Sequence, residues 1–209
     1  MTNFTIDESK IEQYQAEYAA TNCVFFPGLL KKNALQNLLN KLEKINFFTK
    51  FEMDEANKFG KVLFVPANDP VLFTFQLLFN NKQLFAALEK ITSCGSIGNF
   101  VGRIHRSEEG DHEIKWHGDN SDTRLLAMTL GLGTDRYTGA QFQMRETGTE
   151  KITREVGQIE AGDALIFKID PSLQHRLAPM ESGRRTVGVG WFRAEPDFET
   201  FAKTYLKLF

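Results

Sequence analysis

From Gly95 to Phe192 the chain is a series of short strand-like runs cut by turn chemistry, and this alternation constrains its fold more than any other feature. Candidate strands run from Ser96 to Arg106, Glu113 to Trp116, Leu125 to Leu132, Gln141 to Arg145, Lys151 to Val156, Ala164 to Ile169 and Thr186 to Phe192. Breaks fall at Glu109-Gly110-Asp111, Thr138-Gly139, Thr147-Gly148, Ala161-Gly162-Asp163 and Ser182-Gly183. At such places glycine supplies positive φ, and Asp, Ser and Thr bond their own backbone. Short strands at this spacing predict an antiparallel sandwich or jelly roll.

The preceding residues read mostly as helix. Ile11, Tyr14 and Tyr18 recur at helical spacing behind the capping candidates Asp7 and Ser9. Leu35, Leu38, Leu39, Leu42 and Ile45 form an apolar stripe between Lys31 and Ile45, and Leu84, Phe85, Leu88 and Ile91 form another between Asn81 and Thr92. Cys23 to Phe26, Phe48 to Met53 and Lys61 to Val65 are short strand candidates, with a polar loop at Asp54 to Gly60. Phe198, Phe201, Tyr205 and Leu208 predict a closing helix. The expectation is an α+β fold in one domain, 1–209: a mainly helical N-terminal layer (1–95), a jelly-roll core (96–193) with helices packed on one sheet, and a C-terminal helix (196–209).

Composition removes several functions. With 25 basic and 27 acidic residues the formal net charge is −2, so no basic face is expected and nucleic acid is not an expected partner. Two cysteines, Cys23 and Cys94, do not make a disulfide framework, which suits a reduced compartment. The N-terminal residues have no basic segment followed by an apolar one, and the most apolar run, Val71 to Phe79, is too short to span a bilayer. A cytoplasmic protein is expected. The 19 phenylalanines point to an aromatic core.

The residues that carry chemistry start at His117-Gly118-Asp119. In extended chain, residues two apart share a side, so His117 and Asp119 can face one metal while Gly118 permits a tight bend. Alone, the tripeptide reads better as a surface turn, because Gly118, Asp119, Asn120, Ser121 and Asp122 are all turn-formers. Downstream come Gly139-Ala140-Gln141, then Gly162-Asp163 before the apolar Ala164-Leu165-Ile166-Phe167, then His175-Arg176-Leu177-Ala178-Pro179, and finally Arg185 on a strand ending in Trp191-Phe192. In this order and spacing the chain resembles the iron(II)/2-oxoglutarate-dependent dioxygenases, in their prolyl-4-hydroxylase-like branch, from about Ser96 to Phe192. That resemblance implies a double-stranded β-helix, the cupin-like jelly roll.

It also implies roles. His117, Asp119 and His175 would hold Fe(II) as two imidazoles and a carboxylate on one octahedral face, leaving the other face for 2-oxoglutarate and dioxygen. Ascorbate is the implied reductant. The far carboxylate of 2-oxoglutarate needs a fixed guanidinium, for which Arg184 and Arg185 compete. A regular strand puts Arg185, Val187, Val189 and Trp191 on one face, and the family's arginine stands six residues before its closing aromatic, which selects Arg185. A bulge near Gly183 would shift the choice to Arg184. His105 is a further candidate for 2-oxoglutarate, and Thr129 follows from alternation with Ala127 and Gly131. Arg103, on His105's strand face, is a candidate for substrate. His112 reads as an exposed loop residue and Trp116 as core. Gln141 stands where relatives carry Glu, and the strand from Leu125 to Leu132 lacks a tyrosine.

The resemblance implies an oxygenase that converts 2-oxoglutarate to succinate and CO2 while hydroxylating an unactivated C–H bond. Halogenating relatives replace the carboxylate ligand by Gly or Ala, so Asp119 favours hydroxylation. No second arginine stands six residues beyond Arg185, unlike in nucleic-acid demethylases of the superfamily. An amino acid, a peptide or protein side chain, or a small metabolite is the expected substrate, chosen by loops such as Asp54 to Lys58, Val65 to Asp69 and Ser107 to Glu113. The chain is expected to be a monomer or homodimer without membrane partners. Two other classes compete: a metal-binding cupin-like isomerase or sensor without oxygenase activity, and a silent binding module. The first would not require Arg185 or 2-oxoglutarate, and intact candidates for all three ligands argue against the second.

Overall fold

Strand alternation in the second half resolves into two facing antiparallel sheets, with a helical layer behind the larger one. The structure is a computed structural model that describes residues 3–53, 59–109, 115–121 and 123–194. In chain order come α1 (Ile11–Thr21), β1 (Cys23–Phe26), α2 (Lys32–Leu42), β2 (Phe48–Met53), β3 (Phe59–Phe64), α3 (Pro70–Phe79) and α4 (Lys82–Thr92). The core strands follow: β4 (Asn99–Glu108), β5 (Arg124–Gly131), β6 (Tyr137–Gly139), β7 (Phe142–Glu146), β8 (Ile152–Val156), β9 (Ala164–Lys168), β10 (Leu173–Leu177) and β11 (Met180–Arg193). The large sheet runs β1-β9-β5-β11-β4-β3-β2, with β6 also pairing β11, and the small sheet runs β10-β7-β8. This is the expected jelly roll with N-terminal helices on one sheet.

Period-two alternation divides the large sheet into two chemically distinct faces. The outer face, with Val24, Phe26, Phe100, Ile104, Leu126, Met128, Ile166 and Phe192, joins the helices in the main apolar core. Phe75 of α3 sits 5.7 Å from Phe100, which lies 5.2 Å from Phe79 and 4.9 Å from Phe192. Edge and tilted contacts of this kind add about 1 kcal/mol each beyond their area. Gly188 and Gly190 of β11 make room for these rings, since a Cβ there would come within 2.5 Å of Phe75 and Phe100 respectively. The inner face puts Cys23, Ala127, Leu165 and Phe167 against Phe142, Met144 and Leu173 of the small sheet in a second, smaller core.

Helix boundaries follow local chemistry. Asn81 caps α4 by accepting from Gln83 and Leu84 N–H, each at 3.0 Å. Asp69 caps α3 at Val71 N–H, 2.8 Å away, with Pro70 opening the helix. The apolar run Val71 to Phe79 is therefore a buried helix rather than a strand, with Phe75 and Phe79 fully enclosed.

Residues 3–95 are mainly helical and contribute β1, β2 and β3 to the large sheet, where the three strand candidates of that half lie. Several other expectations need correction. The Ser182-Gly183 break lies inside β11, where Gly183 (φ +82°) bends the strand against β6, so close that a Cβ would meet Arg136 O at 2.2 Å. Thr138-Gly139, read as a turn, belongs to β6. Lys115 and Trp116 are not strand, and the rest of that candidate, with His112, lies outside the described residues, as do the loop 54–58 and the C-terminal helix. Both cysteines are free, Cys23 buried and Cys94 half-buried. Among the described residues no helix is long and apolar enough to cross a membrane.

Candidate metal centre

His175 lies at the middle of β10, and its ring enters the space between the sheets, 4.7 Å from the Phe167 ring and 6.0 Å from Phe142. His117 reaches the same place through a single antiparallel backbone pair with His175. His117 N–H donates to His175 O at 3.1 Å, and His175 N–H donates to His117 O at 2.9 Å. The two rings stand 4.3 Å apart. Asp119, two residues on, brings Oδ1 to 3.9 Å from His117 Nε2 and Oδ2 to 3.6 Å from His175 Nε2. All three donor atoms lie within 4.8 Å of one another. Two cis ligands of one octahedral ion at about 2.1 Å stand about 3 Å apart, so a small inward movement closes this set on a metal.

Protonation favours ligation. His117 Nδ1–H donates to the Lys115 carbonyl at 2.7 Å, which turns Nε2 toward Asp119 and His175. Burial pushes His175 down to about 4, and His117 adds to this while Asp119 opposes it. The ring is therefore neutral at pH 7, as a ligand must be.

A cation and an indole hold the carboxylate. Trp191 Nε1–H donates to Asp119 Oδ2 at 2.9 Å. Arg124 Nη1 donates to the Asp119 carbonyl at 3.0 Å, lies 3.6 Å from Oδ1, and stacks its guanidinium 3.9 Å from the Trp191 ring centre. Nothing in the sequence motif marks Arg124, and Trp191, a closing aromatic by position, shares the strand face of Arg185. Trp116 packs on the outside of the small sheet under Arg145 (4.2 Å) and Arg176 (4.7 Å), holding the segment that carries His117.

Of the two adjacent arginines, Arg184 turns outward and pairs Asp135 through Nε and Nη2, each at 3.0 Å. Arg185 turns inward and is 2% exposed. Its Nε and Nη1 meet no acceptor among the described residues. Burial lowers its affinity for a proton, which the neighbouring Tyr137 hydroxyl opposes. A guanidinium remains charged under such pressure. Tyr137, also missed from sequence, accepts from Ile159 N–H at 3.0 Å. It arrives on β6, outside the strand from Leu125 to Leu132 that lacks a tyrosine.

His105 sits on β4 opposite Val187, buried, with Nδ1 also unpartnered. Burial first, then Arg185 and Arg103, push it down to about 3, so it is neutral. Thr129 lies on β5 opposite Val189, on the same inner face, and is buried. Arg103, also opposite Val189, is exposed, with its guanidinium 5.1 Å from the Phe64 ring centre.

These residues fit iron(II) and 2-oxoglutarate. Two imidazoles and a carboxylate suit the ion. Unmet buried donors on a guanidinium are costly unless an anion joins them, and a carboxylate matches that fork.

A family model described as the 2OG-Fe(II) oxygenase superfamily matches residues 102–193. The structure is similar to an oxidoreductase of the 2OG-Fe(II) oxygenase family from Burkholderia pseudomallei, with a TM-score of 0.71 and 13% identity over 94% of this chain and 96% of that one. It is similar to a prolyl-4-hydroxylase from Pseudomonas putida, with a TM-score of 0.64 and 16% identity over 89% of this chain and 100% of that one. It is also similar to SnoN, a non-heme alpha ketoglutarate dependent epimerase from nogalamycin biosynthesis, with a TM-score of 0.60 and 14% identity over 89% and 84% of the two chains. A search of curated proteins found no match.

Proposed function

We propose that this chain, a member of the 2OG-Fe(II) oxygenase superfamily by its residues 102–193, is a hydroxylase acting on an unactivated C–H bond of an amino acid, a peptide or protein side chain, or a small metabolite. The observation that carries this reading is the inward Arg185, buried with two donors unmet, on the strand face of Trp191, the residue bonded to Asp119. A metal-binding protein without 2-oxoglutarate has no use for that buried cation.

In this reading His117, Asp119 and His175 hold Fe(II). The bound ion with 2-oxoglutarate and dioxygen supplies oxidative decarboxylation to succinate and CO2, together with oxygen insertion into a C–H bond. Arg185 binds the distal carboxylate bidentately and fixes the cosubstrate's direction. Tyr137 steadies Arg185. Neutral His105 offers a hydrogen bond from beside it without adding a second charge, and Thr129 offers a hydroxyl. Phe167 and Phe142 keep water from the His175 side, which strengthens every polar contact within. Asp119 occupies the position that halogenating relatives leave open, which supports hydroxylation.

Anaerobic addition of Fe(II) and 2-oxoglutarate to the apo-protein tests the reading. A visible metal-to-ligand charge-transfer band is expected, lost in His117→Ala and His175→Ala. Iron binding without the band would overturn the proposal.

A further inference from the structure

The inner face of the large sheet extends further than the small sheet covers it. From the large sheet, the core between the sheets draws on β1, β5 and β9, ends at Trp191 of β11, and among the described residues includes none from β4, β3 or β2. Register carries the same face onward: Val187 stands opposite His105, His105 opposite Phe64, and Phe64 opposite Phe48. Cα partners in a sheet share a face, so these side chains make one strip leading away from Arg185. The Phe64 ring meets His105 at 6.0 Å and Phe48 at 5.9 Å, and Phe48 is 45% exposed.

Arg103 belongs to this strip. It alternates with His105 on β4 and lies opposite Val189, between the levels of Trp191 and Arg185 on β11. Its guanidinium rests over Phe64 yet is exposed, and it makes no ion pair with any described residue. The inner positions of β4 (Val101, Arg103, His105, Ser107) contain no acid. An aromatic shelf beneath a guanidinium holds the fork in place, so less freedom is lost when an oxyanion binds.

We infer that this strip receives the substrate, that Arg103 binds a free carboxylate on it, and that Phe64 and Phe48 take its apolar body. The inference rests on the oxygenase reading and narrows it to carboxylic acids. Charge balance favours this. Fe(II), the Asp119 carboxylate, doubly negative 2-oxoglutarate and Arg185 together are neutral, Arg124 beside Asp119 already adds one positive charge, and Arg103 adds another that no acid among the described residues pairs. The charge of Arg103 is also felt at His105, whose protonation it opposes. A substrate carboxylate gives Arg103 a partner, and an uncharged substrate leaves it unmatched.

The test uses the anaerobic Fe(II)–2-oxoglutarate complex of the whole protein, whose band reports substrate entry without turnover. Matched pairs are titrated: 3-phenylpropanoic acid with its amide, N-acetyl-leucine with its amide, and N-acetyl-phenylalanine with its amide. For at least one pair the acid is expected to shift the band at a tenfold lower concentration than the amide. Arg103→Gln should erase that preference, Arg103→Lys should restore part of it, and the affinity for 2-oxoglutarate should stay within twofold in both. Equal response to acids and amides, no response to any pair, or an Arg103→Gln protein that keeps the preference overturns the inference. So does an Arg103→Gln protein that loosens 2-oxoglutarate, since Arg103 would then serve the cosubstrate. Absence of the band in the wild-type protein is a separate result that removes the oxygenase reading itself.

Discussion

Trp191→Phe isolates one hydrogen bond to Asp119, the proposed carboxylate ligand. The substitution keeps an aromatic body under the Arg124 guanidinium, which stacks 3.9 Å above the ring, and deletes only the Nε1–H that reaches Asp119 Oδ2 at 2.9 Å. Hydrogen bonds to a charged acceptor contribute about 1.5–3 kcal/mol. Each 1.4 kcal/mol is roughly tenfold in affinity, so metal binding should weaken by about 10–100-fold, as expected for groups that orient a ligand. Arg124 still bonds the Asp119 carbonyl, so the backbone stays in place and only the carboxylate gains freedom. The measurement is anaerobic calorimetric titration of the apo-protein with Fe(II), repeated with redox-silent Mn(II). Trp116, the other tryptophan, serves as the optical reporter. The apo-protein should melt within a few degrees of wild type. A metal dissociation constant within twofold of wild type would refute the idea that the indole orients the carboxylate.

Other perturbations read other parts of the molecule. Arg185→Lys should weaken 2-oxoglutarate by at least about tenfold, because an ammonium cannot match the carboxylate with two parallel bonds, while leaving Fe(II) affinity alone; equal losses for both would argue against this role. His105 is held neutral down to about pH 3, whereas the unfolded chain protonates it near 6.5. Its contribution is therefore complete above pH 6.5 and is lost as pH falls, at about 1.4 kcal/mol per pH unit. His105→Leu should flatten urea-derived stability against pH between 6.5 and 4.5, and an unchanged slope would contradict the burial argument. Ala140 adopts φ +52°. Relief of left-handed strain in Ala140→Gly, less the entropy gained by the unfolded chain, should stabilise by about 0.5–1 kcal/mol, and a lower urea midpoint would count against it. Phe100→Ala should cost about 3–5 kcal/mol by chemical denaturation, since the ring is fully buried among Phe75, Phe79 and Phe192.

Legibility in the sequence depended on whether a signal was local. Strands β5, β7, β8 and β9 and helices α2 and α4 carry their periodicity within a few residues, so their positions were readable. The strand bearing His175 was not, because Leu173-Gln174-His175-Arg176-Leu177 alternates with polar outer residues that resemble loop. Its Gln174 and Arg176 bond Arg145 and Gln143 across the sheet, a non-local reason for extension. The start of β11 was hidden in the same way: Glu181-Ser182-Gly183 has turn composition, and pairing with β6 overrides it. Donor types and order put His117, Asp119 and His175 forward as ligand candidates, but two adjacent arginines look identical until burial separates them. Tyr137 and Arg124 join the site through space, from strands whose pairing the sequence does not spell out.

The reciprocal amide bonds between His117 and His175 make two proposed metal ligands into one opening unit. Neither imidazole can swing away through its own backbone without releasing the other's N–H to solvent. Deuterium uptake at these two amides should therefore be correlated, in the apo-protein as in the metal complex, and slower than at the flanking Gly118. A metal arriving at such a pair finds two of its three ligands already gathered, so ordering entropy is spent during folding rather than at capture. Iron can then leave and return without the chain having to find the site again.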